Sequence, residues 1–511
     1  MRQRISYDWG HCLGMLRFSM LIDFFRLLDW LLGFILIGCA LFESIEFIEL
    51  LISRRAGEKT PVRRATDKPF VSFHVPTCSE PPDVVAKTLL ALHSLDYDAF
   101  EVLVVDNNTK DDQLWKPIER LCGELGSRFR FFHLPEWPGF KAGALNFALH
   151  QTAPEAALIG VVDADYEIAP NYLAEVVGHF DDDHVAFVQT PQDYRDWSLN
   201  IFFRVCNWEY WQVFAVSMVL RNRRNAILMH GTMSLVRRDA VERAGGWAEW
   251  CLTEDSELGL RLHALGYHSI YVSKTYGRGL VPFTYRDYKR QRRRWVIGGV
   301  QQLKRHFDLF LPRRRNATGL TIVQKLYYLQ GWLPWFRCSV VVLSMPVALA
   351  IGVAALFGLV RPDALSWLGL GMTLIVAQLL VRQVVIYRHH LCLSWRDTIG
   401  ATIANFSLVW AVGCGWLSGL TAAEQVFQRT PKRPPEPTYW LKAARAELII
   451  GTLALALGLA LATAYGLAAW QAVSGLLSYA LLFLPAAWMA RQSSMAGRIS
   501  LRSLREQENA P

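Results

Sequence analysis

No two of the nine cysteines in this 511-residue sequence lie close together, and none has the spacing of a metal-binding set. That excludes a disulfide framework or zinc site legible from spacing. The cysteines are expected to be reduced thiols that serve mostly in packing. A single basic face is also missing. The formal charge of +9 is scattered over Arg54-Arg55, Arg63-Arg64, Arg290 to Arg294, Arg313 to Arg315, Arg388, Lys432-Arg433, Lys442 and Arg491. Most of these border apolar runs, the pattern of cytoplasmic loops beside membrane segments. No nucleic-acid partner is expected.

What the sequence has in quantity is apolar residues, 52% of the total and unevenly spread. About 20 consecutive apolar residues cross a bilayer as a helix. Runs of that kind are read at Leu27–Glu49, Val340–Val360, Leu365–Val385, Ile449–Trp470 and Val473–Ala490. Asp29, Glu43 and Glu46 interrupt or flank the first, so they should sit near interfaces or face other helices. The aromatic and scattered polar residues of Thr318–Trp335 suit a helix lying along the membrane surface. Ile399–Thr421 is long enough to span. Basic loops on both sides of it favour an interfacial or re-entrant helix.

Between about Lys68 and Pro312 the pattern changes to alternating strands and helices. Phe70–Pro76, Phe100–Asp106 and Leu158–Val162 read as buried strands, with helix-like stretches between them. Runs of Val, Ile and Leu in that order imply a parallel α/β sheet covered on both faces. Ligands in such folds bind beyond the carboxyl ends of the strands. Asp106, Asp163 and Asp165 all fall at such ends.

Asp163-Ala164-Asp165 aims two like charges from one strand end. They are stable together only with protons or a cation between them, and Mg²⁺ typically takes one or two carboxylates plus substrate phosphates. Alone, this pattern also fits a solvated turn. Lys141, in Gly139-Phe140-Lys141-Ala142-Gly143, stands at a small-residue turn opening a helix, where it could meet phosphate or simply water. In Thr253-Glu254-Asp255-Ser256-Glu257, acids crowd a helix start; dipole complementarity explains Glu257 better than Asp255. Gln291-Arg292-Arg293-Arg294-Trp295 is either a membrane-surface anchor or a diphosphate clamp with an aromatic platform.

In this order and with these flanks, the motifs resemble the processive, membrane-embedded members of glycosyltransferase family 2, the cellulose synthase-like proteins. The resemblance covers about Phe70 to Lys432 and is closest to bacterial β-1,3 and cyclic β-glucan synthases. It implies a cytoplasmic GT-A type nucleotide-sugar-binding domain inserted between transmembrane helices of the inner (plasma) membrane. It implies a nucleotide-sugar donor, UDP-glucose above others, a polysaccharide acceptor, Mg²⁺ or Mn²⁺, the lipid bilayer as partner, and export partners.

By the same resemblance, Asp255 with Glu254 would be catalytic, Asp255 as general base. Asp106 would contact the uridine and Lys141 the diphosphate, with Asp163 and Asp165 serving nucleotide and metal. Gln291 and Arg294 would clamp the donor, and Trp295 would hold the acceptor with His230, Gly231 and Thr232. Gln189-Thr190-Pro191 resembles a donor-side segment, and Phe427–Lys432 a gating loop. Trp332, Trp335, Trp410 and Trp416 would line a path out for the product. The chain ends soon after its last apolar run, leaving no place for the cyclic-di-GMP-binding barrel of bacterial cellulose synthases. The expected organisation is 1–67 N-terminal membrane segment, 68–312 GT-A domain, 313–338 interfacial helix and 339–390 transmembrane pair. Then follow 391–445 interfacial helix and gating-type loop, 446–490 transmembrane pair and 491–511 basic tail. Two rivals remain: a non-processive enzyme acting on a lipid acceptor, and an inactive transporter or scaffold.

Overall fold

The structure, a computed structural model, describes residues 2–53, 63, 68–311, 319–421 and 440–508, without side chains for 2–19, 21–22 and 498–508. The gating-loop candidate Phe427–Lys432 lies outside the described residues.

The strands are β1 (Phe70–Thr77), β2 (Phe100–Asn107), β3 (Phe129–Leu134), β4 (Ala156–Val161), β5 (Glu167–Ile168), β6 (Val185–Gln189), β7 (Asp193–Tyr194), β8 (Ser234–Arg237), β9 (His268–Tyr271) and β10 (Gly277–Gly279). Seven of them form one sheet in the order β3-β2-β1-β4-β8-β6-β9, and β5-β10-β7 make a small second sheet. Every residue of β2 is buried, as a continuous apolar run in a sheet covered on both faces must be.

The all-parallel expectation needs correction. β1 to β4 are parallel neighbours, but β8 pairs antiparallel with both β4 and β6. An antiparallel strand begins where its parallel neighbours end. The residues just before β8, His230-Gly231-Thr232, therefore reach the same rim as Asp163, which follows β4.

Among the described residues, five helical stretches are long and apolar enough to cross a membrane: Asp23–Ile52, Ile322–Leu356, Pro362–His390, Trp395–Thr421 and Arg445–Gly497. Asp29, Glu43 and Glu46 of the first are engaged by other helices. Asp29 accepts the backbone N–H groups of Trp367 (3.2 Å) and Leu368 (3.0 Å), capping the helix Ser366–Val384. Glu43 pairs with Arg337 at 2.8 Å and Glu46 with Arg382 at 3.3 Å.

The surface helix expected over 313–338 is not separate from the span after it. Ile322–Leu356 is one helix of 35 residues, roughly 50 Å long at 1.5 Å per residue. Its first turns stand against the α/β domain: Gln324 donates to the Asn225 carbonyl at 2.7 Å, and Tyr328 hydroxyl meets His263 Nδ1 at 2.8 Å. One face of these turns thus packs on protein, while Ile322, Val323, Leu326 and Leu329 stay exposed on the other.

Trp395–Ser407 and Val409–Thr421 form a broken pair. The second lies against the helix Tyr285–Arg305, where Gly419 and Gly415 admit Val300 and Arg293. Arg204 grips Asp397 through two bonds of 2.7 and 2.8 Å, and Lys289 pairs with Glu447 at 2.5 Å. The helices thus hold the α/β domain in place. Trp332, Trp335, Trp410 and Trp416, expected to line an exit path, have Phe310, Gly299, Phe483 and Phe336 as neighbours.

Candidate active site

A cleft of about 680 Å³, open mouth included, lies at the rim and is lined by residues from 141 to 295. Lys141, Asp163, Asp165, His230, Gly231, Glu254, Asp255, Gln291, Arg294 and Trp295 all line it.

Each arrives by a different local device. Gly139 takes a left-handed φ of +78° to open the helix Phe140–Gln151, a conformation glycine adopts at no steric cost. A Cβ on Gly143 would meet the Pro138 carbonyl oxygen at 1.9 Å, so the turn closes only with glycine there. Lys141 then extends to Asp163 Oδ1 (2.6 Å) and donates to the Gly231 carbonyl (2.7 Å), with Glu254 3.8 Å away. Burial alone would lower its pKa, but Asp163 and Glu254 outweigh that and leave it raised.

Asp163 and Asp165 lie just past the end of β4, in a turn closed by Tyr166 N–H to Asp163 O at 3.1 Å. They share the cleft through that turn, not through strand alternation. Asp163 N–H donates to Thr232 Oγ1 (3.0 Å), and Leu280 N–H donates to Asp165 Oδ2 (3.0 Å). The lining brings the carboxylates Asp163, Asp165, Glu254 and Asp255 against the cations Lys141 and Arg294. That acidic excess suits an added cation. Among the described residues no three of the His, Cys, Asp and Glu side chains form a metal-ligand group. The protein would therefore offer Asp163 and Asp165, with phosphate oxygens completing the shell, as Mg²⁺ permits.

Glu254 and Asp255 open the helix Glu254–Ala264. Ser256 N–H donates to Asp255 Oδ1 at 2.7 Å. Burial raises the pKa of both; for Glu254 the neighbouring Asp255 adds to it, and for Asp255 the Lys141 ammonium opposes it. The turn is clamped by the helix Tyr285–Arg305. Gln302 donates to Thr253 Oγ1 (2.8 Å) and Ser256 Oγ (2.6 Å), Gln301 accepts from Leu252 N–H (2.9 Å), and Gly298 leaves room for Thr253. Glu257, by contrast, leaves the cleft and pairs with Arg261 (2.6 Å) and His306 (2.7 Å).

Gly231 is wedged between opposite charges. A Cβ there would stand 2.9 Å from both Asp255 Oδ2 and Lys141 Nζ. Gly231→Ala is expected to slow any reaction using this pair by on the order of 10²-fold, since displacements near 1 Å at reacting groups cost that much. Initial rates measured beside thermal melting check this; an unchanged rate would show that the tips of Asp255 and Lys141 move aside for the added methyl at no cost.

Asp106 is on the same rim but does not line the cleft. It is buried, with Oδ1 accepting from Thr77 (3.0 Å) and Thr109 (2.7 Å) and Oδ2 facing His133 Nδ1 at 2.9 Å. It ties strand ends together. Gln189 is also outside the lining: its amide donates to the Thr232 carbonyl (3.0 Å) and its oxygen accepts from His230 N–H (2.8 Å). It braces the loop on which Gly231 sits. His230 is held neutral, its pKa pushed down to about 4 by burial and by Arg221.

Sequence reasoning missed Tyr166, Gln192, Tyr194 and Tyr210, which also line the cleft. Gln192 and Tyr194 adjoin the flagged Gln189-Thr190-Pro191. Tyr210 sits in the helix Ile201–Gln212, which carries no motif.

Residues 158–380 match the family model described as glycosyl transferase family group 2. The chain carries a family 2 glycosyltransferase domain. The matched span holds every cleft residue named above except Lys141. The chain is 26% identical over 325 residues to the cellulose synthase catalytic subunit (UDP-forming) of Xanthomonas axonopodis pv. citri, which covers 60% of this chain and 42% of that protein. It is 29% identical over 263 residues to the beta-monoglucosyldiacylglycerol synthase of Trichormus variabilis, covering 49% of this chain and 53% of that one. The chain thus spans about half or less of the length of these curated relatives. A mannosyltransferase from Pyrobaculum calidifontis, solved in complex with GDP-Man and Mn²⁺, superposes with a TM-score of 0.53 over 78% of this chain and all of that one, at 20% identity. At that identity the likeness concerns the fold, which is GT-A-like.

Proposed function

We propose that this chain is a membrane-embedded, inverting glycosyltransferase that uses UDP-glucose to extend a β-linked glucan and passes the product across the membrane. The catalytic domain would face the cytoplasm, in keeping with the basic residues at the helix edges. What supports the reading is the single cleft in which Lys141, Asp163, Asp165, Asp255, Arg294 and Trp295 meet although up to 154 positions apart.

In this proposal Asp255 takes the proton of the acceptor hydroxyl as that oxygen attacks the anomeric carbon, inverting it. Lys141 and Arg294 face the diphosphate, and their positive charge offsets what builds on the leaving group. Asp163 and Asp165 would hold Mg²⁺ or Mn²⁺, which when bound neutralises phosphate charge. A nucleoside diphosphate leaves without protonation, so no general acid is required. Trp295 would meet the acceptor.

A buried base with a raised pKa is ionised only at higher pH. Activity should be lost as pH falls through that raised value, so the acidic limb should lie above the ~4 of an ordinary carboxylate. A rate profile with its limb near 4 would argue against Asp255 as the base.

The match to a synthase of glucosyl lipid supports a second reading, transfer to a lipid acceptor. Purified full-length protein in nanodiscs, given radiolabelled UDP-glucose or GDP-mannose, separates the two. Long β-linked chains found by linkage analysis support the synthase, and single-sugar glycolipid supports the rival. No transfer from either donor would defeat both.

A further inference from the structure

We propose that Arg292 is a positioning residue, which from behind the cleft sets the orientation of the aromatic wall that receives the acceptor; this rests on the glycosyl-transfer reading. Three consecutive arginines precede Trp295, and the helix sends them in three directions because successive residues turn by about 100°. Arg294 enters the cleft. Arg293 is exposed and donates to Ser418 Oγ at 2.8 Å. Arg292 points inward, 7% exposed, on the same helix face as Trp295 three positions on.

Its guanidinium carbon lies 4.4 Å from the centroid of Trp295, 4.9 Å from that of Tyr210 and 5.1 Å from that of Tyr288. Trp295 and Tyr210 line the cleft, their centroids 5.5 Å apart and their planes inclined by 31°. Arg292 Nη2 pairs with Glu209, whose Oε2 also accepts from the Tyr288 hydroxyl at 2.5 Å. A buried cation therefore sits against the cleft's two neighbouring aromatic walls. A flat guanidinium can lie on several rings while keeping its carboxylate, and a compact ammonium cannot. With one side of Trp295 taken by Arg292, the acceptor meets the other, at an angle the cation sets.

The test separates positioning from charge balance. Arg292→Met alone strands the Glu209 carboxylate in the interior, which can unfold the protein. The informative variant is Arg292→Met/Glu209→Gln, which removes both charges, studied beside Arg292→Lys as full-length protein in nanodiscs. Melting confirms the fold. Rates are measured with UDP-glucose against cellotetraose, laminaritetraose or vesicles containing diacylglycerol. The double variant should raise the acceptor KM roughly tenfold, the effect of about 1.4 kcal/mol, while the donor KM stays within about twofold. Arg292→Lys should fall between. A folded double variant with the wild-type acceptor KM overturns the inference alone. Wild-type protein that transfers sugar to none of the acceptors, from UDP-glucose or from GDP-mannose, overturns the transfer reading, and the inference with it.

Discussion

Asp255→Asn is expected to reduce sugar transfer by on the order of 10² to 10⁴-fold, the usual contribution of a positioned base. Asparagine has nearly the same shape, so the bond from Ser256 N–H to the side-chain oxygen can persist. What it lacks is the ability to take a proton. Donor binding should survive, because Lys141 and Arg294 remain and one negative charge leaves an acid-rich cleft. Radiolabelled transfer and direct titration with UDP report the two quantities separately. Polymer made at the normal rate by this variant would remove the base assignment. Loss of UDP binding along with transfer would instead make Asp255 part of the donor site.

Arg337→Met is expected to cost roughly 3–5 kcal/mol of stability, the penalty for stranding one partner of a buried ion pair. Arg337 Nε stands 2.8 Å from Glu43 Oε1, with side chains 5% and 6% exposed. The pair joins the N-terminal helix Arg2–Ile52 to Ile322–Leu356, so its loss should loosen the helix on which the domain's outer turns rest. Arg337→Met/Glu43→Met should recover most of the loss, because two apolar side chains leave no uncompensated charge. Thermal melting of the full chain in nanodiscs measures both. If the single and double variants melt alike, the pair carries no such burden.

Much of this architecture was legible in advance, for physical reasons that differ by element. The strands β1, β2 and β4 announced themselves as apolar runs because a covered sheet buries both faces of each strand. The membrane helices did so because hydrocarbon tolerates only long apolar segments. β8 did not, since four residues, Ser234–Arg237, have no period long enough to give a direction. Its antiparallel sense is what sends Gly231 to the rim. The amphipathic pattern of Thr318–Trp335 did not show that the helix runs on unbroken to Leu356, because no window that short contains its end. Asp106 was legible as a carboxylate at a strand end, but its partners were not, because Thr77 and His133 lie on neighbouring strands.

The cleft divides in the same way. The charged residues of its lining were legible one by one, since Lys141, Asp163, Asp165, Glu254 and Asp255 lie in short, unusual strings of charge beside turn or helix-start signals. Tyr210, Gln192 and Tyr194 gave no such signal, because an aromatic or amide that lines a cavity has the same local sequence as one that fills a core.

By itself the sequence determined which residue types were available and which local elements would carry them: apolar runs for strands and spans, small residues at the Lys141 turn, acids at a helix start. Those are short-range preferences, written into neighbouring residues. Only the tertiary structure decided that Lys141 and Asp255 flank Gly231, that Asp106 faces inward, and that of three adjacent arginines one enters the cleft, one meets solvent and one is enclosed by aromatic rings. Such choices depend on contacts between segments as far as 90 to 125 positions apart or lying on different strands, and no short window of sequence contains both sides of them.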